Sequence, residues 1–326
     1  CGAFFSCFSM LVFTLDKQQY NIKRSLMEKG VFKTIVYYDC LDYPLTSEEL
    51  AIFSFIDDGE LEAEGLIEVS SGFHFLKDRE ALVKTRKERN RLAEEKWKKM
   101  MKAVQWLKLV LYVRLVFASG SLALRNTIRK SDLDLLIVVR SGRIWTSRFL
   151  AVVLLGLLGL RRKRGQKVAP DKVCLNHFIT DKSLYIPRKS VYTAQLYARL
   201  APVLGDGKLL DDFCEANKWV GDYIVGWPGC VKDERPQTSN LKLKILGEKI
   251  LNTKLGDWLE RLLRKYQLRR INNYHLTHKP GGRVKADDES LEFHPDSPEL
   301  RVIERYNKTM LRLGFEDLTE KSSFDI

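Results

Sequence analysis

"VFASGSLALRNTIRKSDLDLLIVV", residues 116–139, carries the strongest signal in this sequence. One apolar run closes on Gly120-Ser121 and the next opens on Asp132-Leu133-Asp134, which reads as strand, turn, strand. On a strand, residues i and i+2 share a face, so the carboxylates of Asp132 and Asp134 are aimed together. Two carboxylates held that way repel and need compensation. Mg²⁺ is the usual answer, because it takes one or two carboxylates and completes its shell with water and substrate phosphates. Gly120 lets the backbone turn close to a ligand, and the N–H groups of Gly120 and Ser121, with the Ser121 hydroxyl, suit the terminal phosphates of a nucleotide. The plainer alternative is an ordinary turn, with Asp132 at the surface and Asp134 paired to an arginine.

Around this stretch the pattern is that of an α/β core over 111–182: a strand at 113–118, a strand at 133–139, an apolar helix at 144–160, the basic loop "RRKRGQKVAPDK" and a strand at 173–179. Helical patterns fill 183–268, among them "VYTAQLYARLAPVL" and "KLLDDFCEANKWV". Residues 269–326 read as a polar, turn-rich tail with one short helix near 299–313. Upstream, 78–110 keeps Ala93, Trp97, Met100, Val104 and Leu107 at alternating four and three spacing, which predicts one long basic connecting helix. Glu94 with Lys98 and Glu95 with Lys99 would add i,i+4 pairs on its solvated side.

Residues 21–77 predict a helix, a second helix started by a Thr46–Glu49 capping box, and a hairpin in "GLIEVSSGFHFL". That order resembles a winged-helix domain, with a recognition helix curtailed by the short "AIFSFIDDGELEAE". A small helical cap with no nucleic-acid contact fits the same pattern. Residues 1–20 lack a basic leader and an initial Met, and are expected to be a non-native or disordered leader.

Lys and Arg number 55 against 42 Asp and Glu, a formal charge of +13, which points to an anionic partner such as nucleotide, nucleic acid or acidic lipid. The six cysteines form no Cys-x-x-Cys pair and no regular framework, which suggests no zinc site and fits a reduced, cytoplasmic protein. The apolar run at 149–160 is roughly twelve residues, short of the roughly 20 that cross a bilayer. A buried helix is expected there, and a membrane-surface role rests solely on its "RRKR" flank.

The order strand, Gly-Ser, Asp-hydrophobic-Asp, strand resembles the DNA polymerase beta-like nucleotidyltransferase superfamily. "YYDCLDYPLTSEEL", "KVCLNHFIT", "LGDWLERLL" and "FHPDSPE" look like landmarks of a bacterial group of nucleotidyltransferase-domain proteins with a winged-helix-like N-terminal region. The resemblance implies an α+β nucleotidyltransferase core and Mg²⁺- or Mn²⁺-dependent transfer of a nucleoside monophosphate from NTP to an acceptor, which it does not identify among protein, RNA and small molecules. It implies nucleotide contacts at Gly120, Ser121 and Ser131, and metal ligation at Asp132 and Asp134. There are two departures. Arg125 stands where many relatives place Gly, which alters the turn or brings a cation to the phosphates. Asn176 stands at the third site position, where relatives carry a carboxylate, with Asp171 and Asp181 poor substitutes. Asn176 therefore also motivates the alternative of a weak or inactive nucleotide-sensing or nucleic-acid-binding regulator.

Overall fold

The computed structural model describes residues 30–56, 65–166, 168–227, 229, 242–280 and 282–315. The leader expected at 1–20 lies outside them, as do residues 57–64 of the 51–64 stretch in which a curtailed recognition helix is expected. The chain is a mixed α/β protein built on a mixed sheet.

Its first elements are α1 (30–39), β1 (Leu45–Thr46), α2 (Ser47–Phe53), β2 (Ile67–Ser70) and β3 (Phe73–Leu76). The capping box forms: Thr46 Oγ1 accepts from Glu49 N at 3.2 Å, and Glu49 Oε2 accepts from Thr46 N at 3.1 Å. Ser71 and Gly72, both at positive φ, close the β2–β3 hairpin, and β1 pairs antiparallel with β3. The small core of this unit, around Ile35, Tyr38, Tyr43 and Leu45, is completed by Tyr306 and Met310 from the far end of the chain.

The long helix α3 (Ala81–Leu107) buries Ala93, Met100, Val104 and Leu107, as its spacing predicts. The expected i,i+4 pairs do not form. Glu94 pairs instead with Arg125, Lys99 with Asp171, and Glu95 with Arg91. For Glu94 and Lys99, partners brought by tertiary packing win over exposed pairs worth a few tenths of a kcal/mol, whereas Glu95 takes Arg91, one turn back on the same helix.

After α3 come β4 (Val113–Ala118), α4 (Gly120–Ala123), β5 (Leu133–Val139), α5 (Ile144–Leu157), β6 (Val173–Thr180), α6 (Val191–Ala198), β7 (Ala201–Gly205) and α7 (Gly207–Ala216). Then follow α8 (Lys242–Leu251), α9 (Lys254–Asn272), β8 (Arg283–Ala286), β9 (Ser290–His294) and α10 (Glu299–Arg312). The six-stranded sheet runs β7-β4-β5-β6-β9-β8. Of its pairs, β5–β6 is parallel, bridged by the crossover helix α5, and the rest are antiparallel. Because strand side chains alternate, Leu133, Leu135, Ile137 and Val139 face the core under α3, α5 and α9. Leu136 and Val138 face the opposite core under α6 and α7.

The helical reading of 191–204 fails beyond Ala198, where Ala201–Gly205 forms the edge strand β7. Pro202 explains this, since it breaks a helix and, lacking an N–H, is tolerated at a sheet edge. The polar tail supplies β8 and β9 to the main sheet, so the sheet draws strands from outside 111–182. In these two strands Leu291 is the one buried residue, too weak a periodicity to read. Helix α5 buries Ile144, Trp145, Ala151 and Leu155, yet Leu157 is 83% exposed, so it is a covering helix and not a fully buried one. Among the described residues, no helix is long and apolar enough to cross a membrane. Cys40 and Cys174 are free thiols, whereas Cys214 is disulfide-bonded. This departs from the all-reduced expectation, because pairing follows spatial proximity and not sequence spacing.

Candidate functional site

Gly120 stands one residue beyond β4, after Ser119, and adopts φ +62, the left-handed conformation glycine tolerates. A Cβ there would lie 2.6 Å from Asp134 Oδ2, so the turn presses its backbone against the carboxylate. Ser119 N donates to Asp134 O at 3.0 Å, which ties the turn to β5. The N–H groups of Gly120 and Ser121 begin α4, where no helical carbonyl reaches them. The Ser121 hydroxyl makes no hydrogen bond among the described residues. Ser131, by contrast, spends its hydroxyl on the turn ahead of β5, accepting from Ile128 N at 3.1 Å.

Asp132 and Asp134 come together with Cys174: one ligand atom from each lies within 4.8 Å of the others. Two ionised carboxylates at that range repel by on the order of 3 kcal/mol at an effective dielectric near 20. Burial, then the neighbouring Asp132 charge, pushes Asp134 up to about 7. Arg162 Nη1 donates to Asp132 Oδ2 at 2.6 Å, and Asn176 Nδ2 donates to Asp134 Oδ1 at 3.0 Å. The arginine of the plainer reading is therefore present, on Asp132 and not on Asp134. Burial and the two carboxylates hold Cys174 as a neutral thiol. A neutral sulfur is a poor ligand for a hard cation, whereas the paired carboxylate oxygens suit Mg²⁺ or Mn²⁺.

A bulge places Asn176. Between the pairs Asp134↔Cys174 and Leu136↔His177, β6 advances three residues while β5 advances two. The extra residue lets Cys174, Asn176 and His177 all reach the Asp134 side of the sheet. His177 does not join the carboxylates. It is buried edge-on to His294 with ring centroids 6.2 Å apart, and burial and nearby cations push it down to about 3.

Arg125 sits at φ +58, and its guanidinium pairs with Glu94. The residue thus occupies a glycine-type conformation but brings no cation to the site. Asp171 is held by Lys96 at 2.7 Å and Lys99 at 2.5 Å. Asp181 accepts from Ser141 N at 2.9 Å and lines a cavity of about 590 Å³ with Arg114, Asp206 and Lys244. That cavity lies at the other end of β6, about 20 Å from Cys174 at 3.3 Å per residue. Neither acid replaces the third carboxylate.

Sequence reasoning missed three residues here. Lys96, 1% exposed, donates to Ser131 O at 2.7 Å, Arg129 O at 3.2 Å and Asp171 Oδ1 at 2.7 Å, pinning the approach to Asp132 onto α3. Its signal was available, since it stands three residues after Ala93 and four before Met100, on the apolar face. Arg162 had no signal beyond its basic run. Tyr192 on α6 lies near enough for the Asp134 charge to help, after burial, to push its phenol up to about 12.

No family model matches this chain, and no curated protein or solved structure matches it.

Proposed function

We propose that this chain is a nucleotidyltransferase of the DNA polymerase beta-like superfamily, moving a nucleoside monophosphate from NTP to an acceptor hydroxyl in the cytoplasm. The observation that carries this reading is the juxtaposition of Asp132 and Asp134 beneath the Gly120 turn. Asp132 and Asp134 would hold Mg²⁺ or Mn²⁺, which when bound neutralises phosphate charge for in-line displacement. Gly120 and Ser121 contribute backbone N–H groups and a hydroxyl to the triphosphate. Asn176 fixes the orientation of Asp134 and can hydrogen-bond an acceptor hydroxyl, but it takes no proton at neutral pH. Ser131 acts through the loop it caps. The order helix, strand, helix, hairpin over 30–76 supports a winged-helix-like unit, and exposed Lys84, Lys87, Arg91, Lys98 and Lys102 on α3 would add electrostatic, salt-sensitive contact to nucleic acid.

A second reading, a weak or inactive nucleotide-sensing or nucleic-acid-binding regulator, is favoured by one feature. Arg162 and Asn176 already compensate the two carboxylates, and no third acid stands beside them among the described residues. Single-turnover transfer from radiolabelled NTP to protein, RNA and small acceptors, with calorimetry of Mg·NTP binding, separates the two. The enzyme reading expects slow transfer by the parent and a gain of about 10²–10⁴-fold in Asn176→Asp, which restores a general base. It expects no Mg·NTP binding in Asp134→Ala. Nucleotide binding without transfer by either protein selects the regulator, and parent-level Mg·NTP binding by Asp134→Ala removes the site assignment altogether.

A further inference from the structure

A second group of charges lies on the other side of the loop that carries Arg162. Arg161 pairs by a parallel bridge with Val173, so neighbouring residues of this extended segment point to opposite faces. Arg162 reaches Asp132, whereas Arg161 turns toward α5, its Nε 3.7 Å from the place a Gly156 Cβ would occupy. Arg148 on α5, Arg164 on the loop and Arg270 in the last turn of α9 lie close enough for their charges to act on one another.

Among the described residues, Arg148, Arg164 and Arg270 are held by neutral partners. Arg148 stacks over Phe293 at 4.7 Å and donates from Nη1 to Gln267 Oε1 at 2.6 Å. Arg164 stacks over Tyr274 at 3.9 Å and donates from Nη2 to Arg270 O at 2.6 Å. Arg270 Nη1 donates to the Tyr266 hydroxyl at 2.7 Å. Buried Nε groups of Arg148 and Arg161 have no hydrogen-bond partner among the described residues. No carboxylate among the described residues lies within 4.0 Å of a nitrogen of any of the four. Burial and then the surrounding arginines push Arg148 down to about 10.

Four cations gathered with no counter-charge among the described residues, two of them with buried donors unpaired there, are suited to take up an anion. The stacked rings and neutral hydrogen bonds fix the guanidinium planes, leaving their remaining N–H groups as planar donors. That donor pattern matches the oxygens of a phosphate group, which accept paired, charge-assisted hydrogen bonds from arginine. We propose that Arg148, Arg161, Arg164 and Arg270 form a binding site for a phosphate dianion, on the face of the loop opposite Asp132 and Asp134. The inference goes beyond the nucleotidyl-transfer reading and does not rest on it.

The test is calorimetry of the full chain with inorganic phosphate in EDTA, so that no divalent cation recruits phosphate to the carboxylate pair. The parent binds. Arg161→Gln and Arg270→Gln each weaken binding about tenfold or more, as expected for a charge-assisted hydrogen bond, and the double variant shows none. Arg270→Lys keeps the charge without the planar donors and falls between. Without phosphate, Arg270→Gln keeps or raises the melting temperature because repulsion is relieved, whereas a merely structural arginine would lower it. Asp134→Asn leaves phosphate affinity unchanged, so failure here is distinct from failure of the transfer reading. A second arm floats the protein with phosphatidylcholine vesicles with and without phosphatidic acid. Capture that needs phosphatidic acid and vanishes in the double variant assigns a lipid headgroup as the source, and binding of inorganic phosphate without capture assigns a soluble phosphate ester. No binding in either arm, or parent-level binding by the double variant, overturns the site.

Discussion

The acidic pair at Asp132 and Asp134 and the arginines around Arg148 lie on opposite sides of one loop, and the chain treats their charge differently. The carboxylates have partners of their own: Arg162 on Asp132, and Asn176 on Asp134. The arginines have aromatic rings, an amide, a phenol and a carbonyl, and no acid among the described residues. A cluster with internal compensation survives without ligand and exchanges one partner for another on binding. A cluster without it carries its repulsion until an anion arrives. The two regions should therefore respond oppositely to solution conditions: the acidic one to pH and divalent cations, the basic one to phosphate.

The largest effect that separates them is expected at Lys96. Its ammonium is buried and holds two backbone carbonyls and Asp171 on the acidic side of the loop. Lys96→Met keeps much of the stem but leaves those acceptors unpaired, a change that costs about 3 kcal/mol when a buried pair is broken. Chemical denaturation should show that loss, and Mg·NTP binding should fall with it. Phosphate binding at Arg148 should persist below the unfolding transition. Equal loss at both regions would mean that the loop moves as one piece and that the comparison does not hold.

This residue also shows where the sequence was legible and where it was not. The strand, turn, strand core, the Gly120 and Asp132–Asp134 placements and the face of α3 follow from short-range periodicity, and the structure has them where the pattern puts them. Lys96 stands on the apolar face by spacing, but a lysine in a lysine-rich helix reads as solvated until its acceptors, more than thirty residues away, are brought to it. The proximity of Asn176 to Asp134 needs the β6 bulge, which no alternation reveals. Strand β7 is apolar and reads as a continuation of α6, whereas β8 and β9 carry no legible alternation because they are short and half polar. The arginine group is assembled from α5, its following loop and α9, so spacing along the chain carries no trace of it.

A smaller effect sharpens the acidic half. Asp134 titrates near 7 in the folded chain and near 4 when unfolded, so between these values the folded state holds the extra proton. Stability without metal must then fall as pH rises from about 4 through about 7. Asp134→Asn, a permanently neutral carboxamide, removes that slope. Its gain over the parent should be near zero at pH 4 and grow to on the order of 4 kcal/mol above pH 7. Mg²⁺ should raise the melting temperature of the parent at pH 8 and leave the variant unmoved. Arg270→Gln should show no such pH dependence, since guanidinium groups stay protonated throughout this range. A pH-independent gain in Asp134→Asn would show that the two carboxylates are not in tension.

The smallest effect concerns the turn that frames the pair. Arg125 holds a left-handed backbone, which costs an L-residue about 1–2 kcal/mol and glycine almost nothing. Glycine gives part of that back through the greater freedom of the unfolded chain, about 0.4–1 kcal/mol. The ion pair with Glu94 joins side chains 48% and 43% exposed, so losing it costs roughly 0–1 kcal/mol. Comparing Arg125→Gly with Arg125→Ala cancels the ion pair, since both variants lack it, and isolates the backbone. Glycine should be the more stable by about 0.5–1 kcal/mol in thermal or denaturant melts. Because the guanidinium turns toward α3 and away from Asp132 and Asp134, neither variant should alter the pH slope set by Asp134. Equal stabilities would mean that the turn imposes no left-handed strain. A changed slope would place the Arg125 charge among the groups that compensate the carboxylates, and the acidic side would then depend on one more internal cation than Arg162.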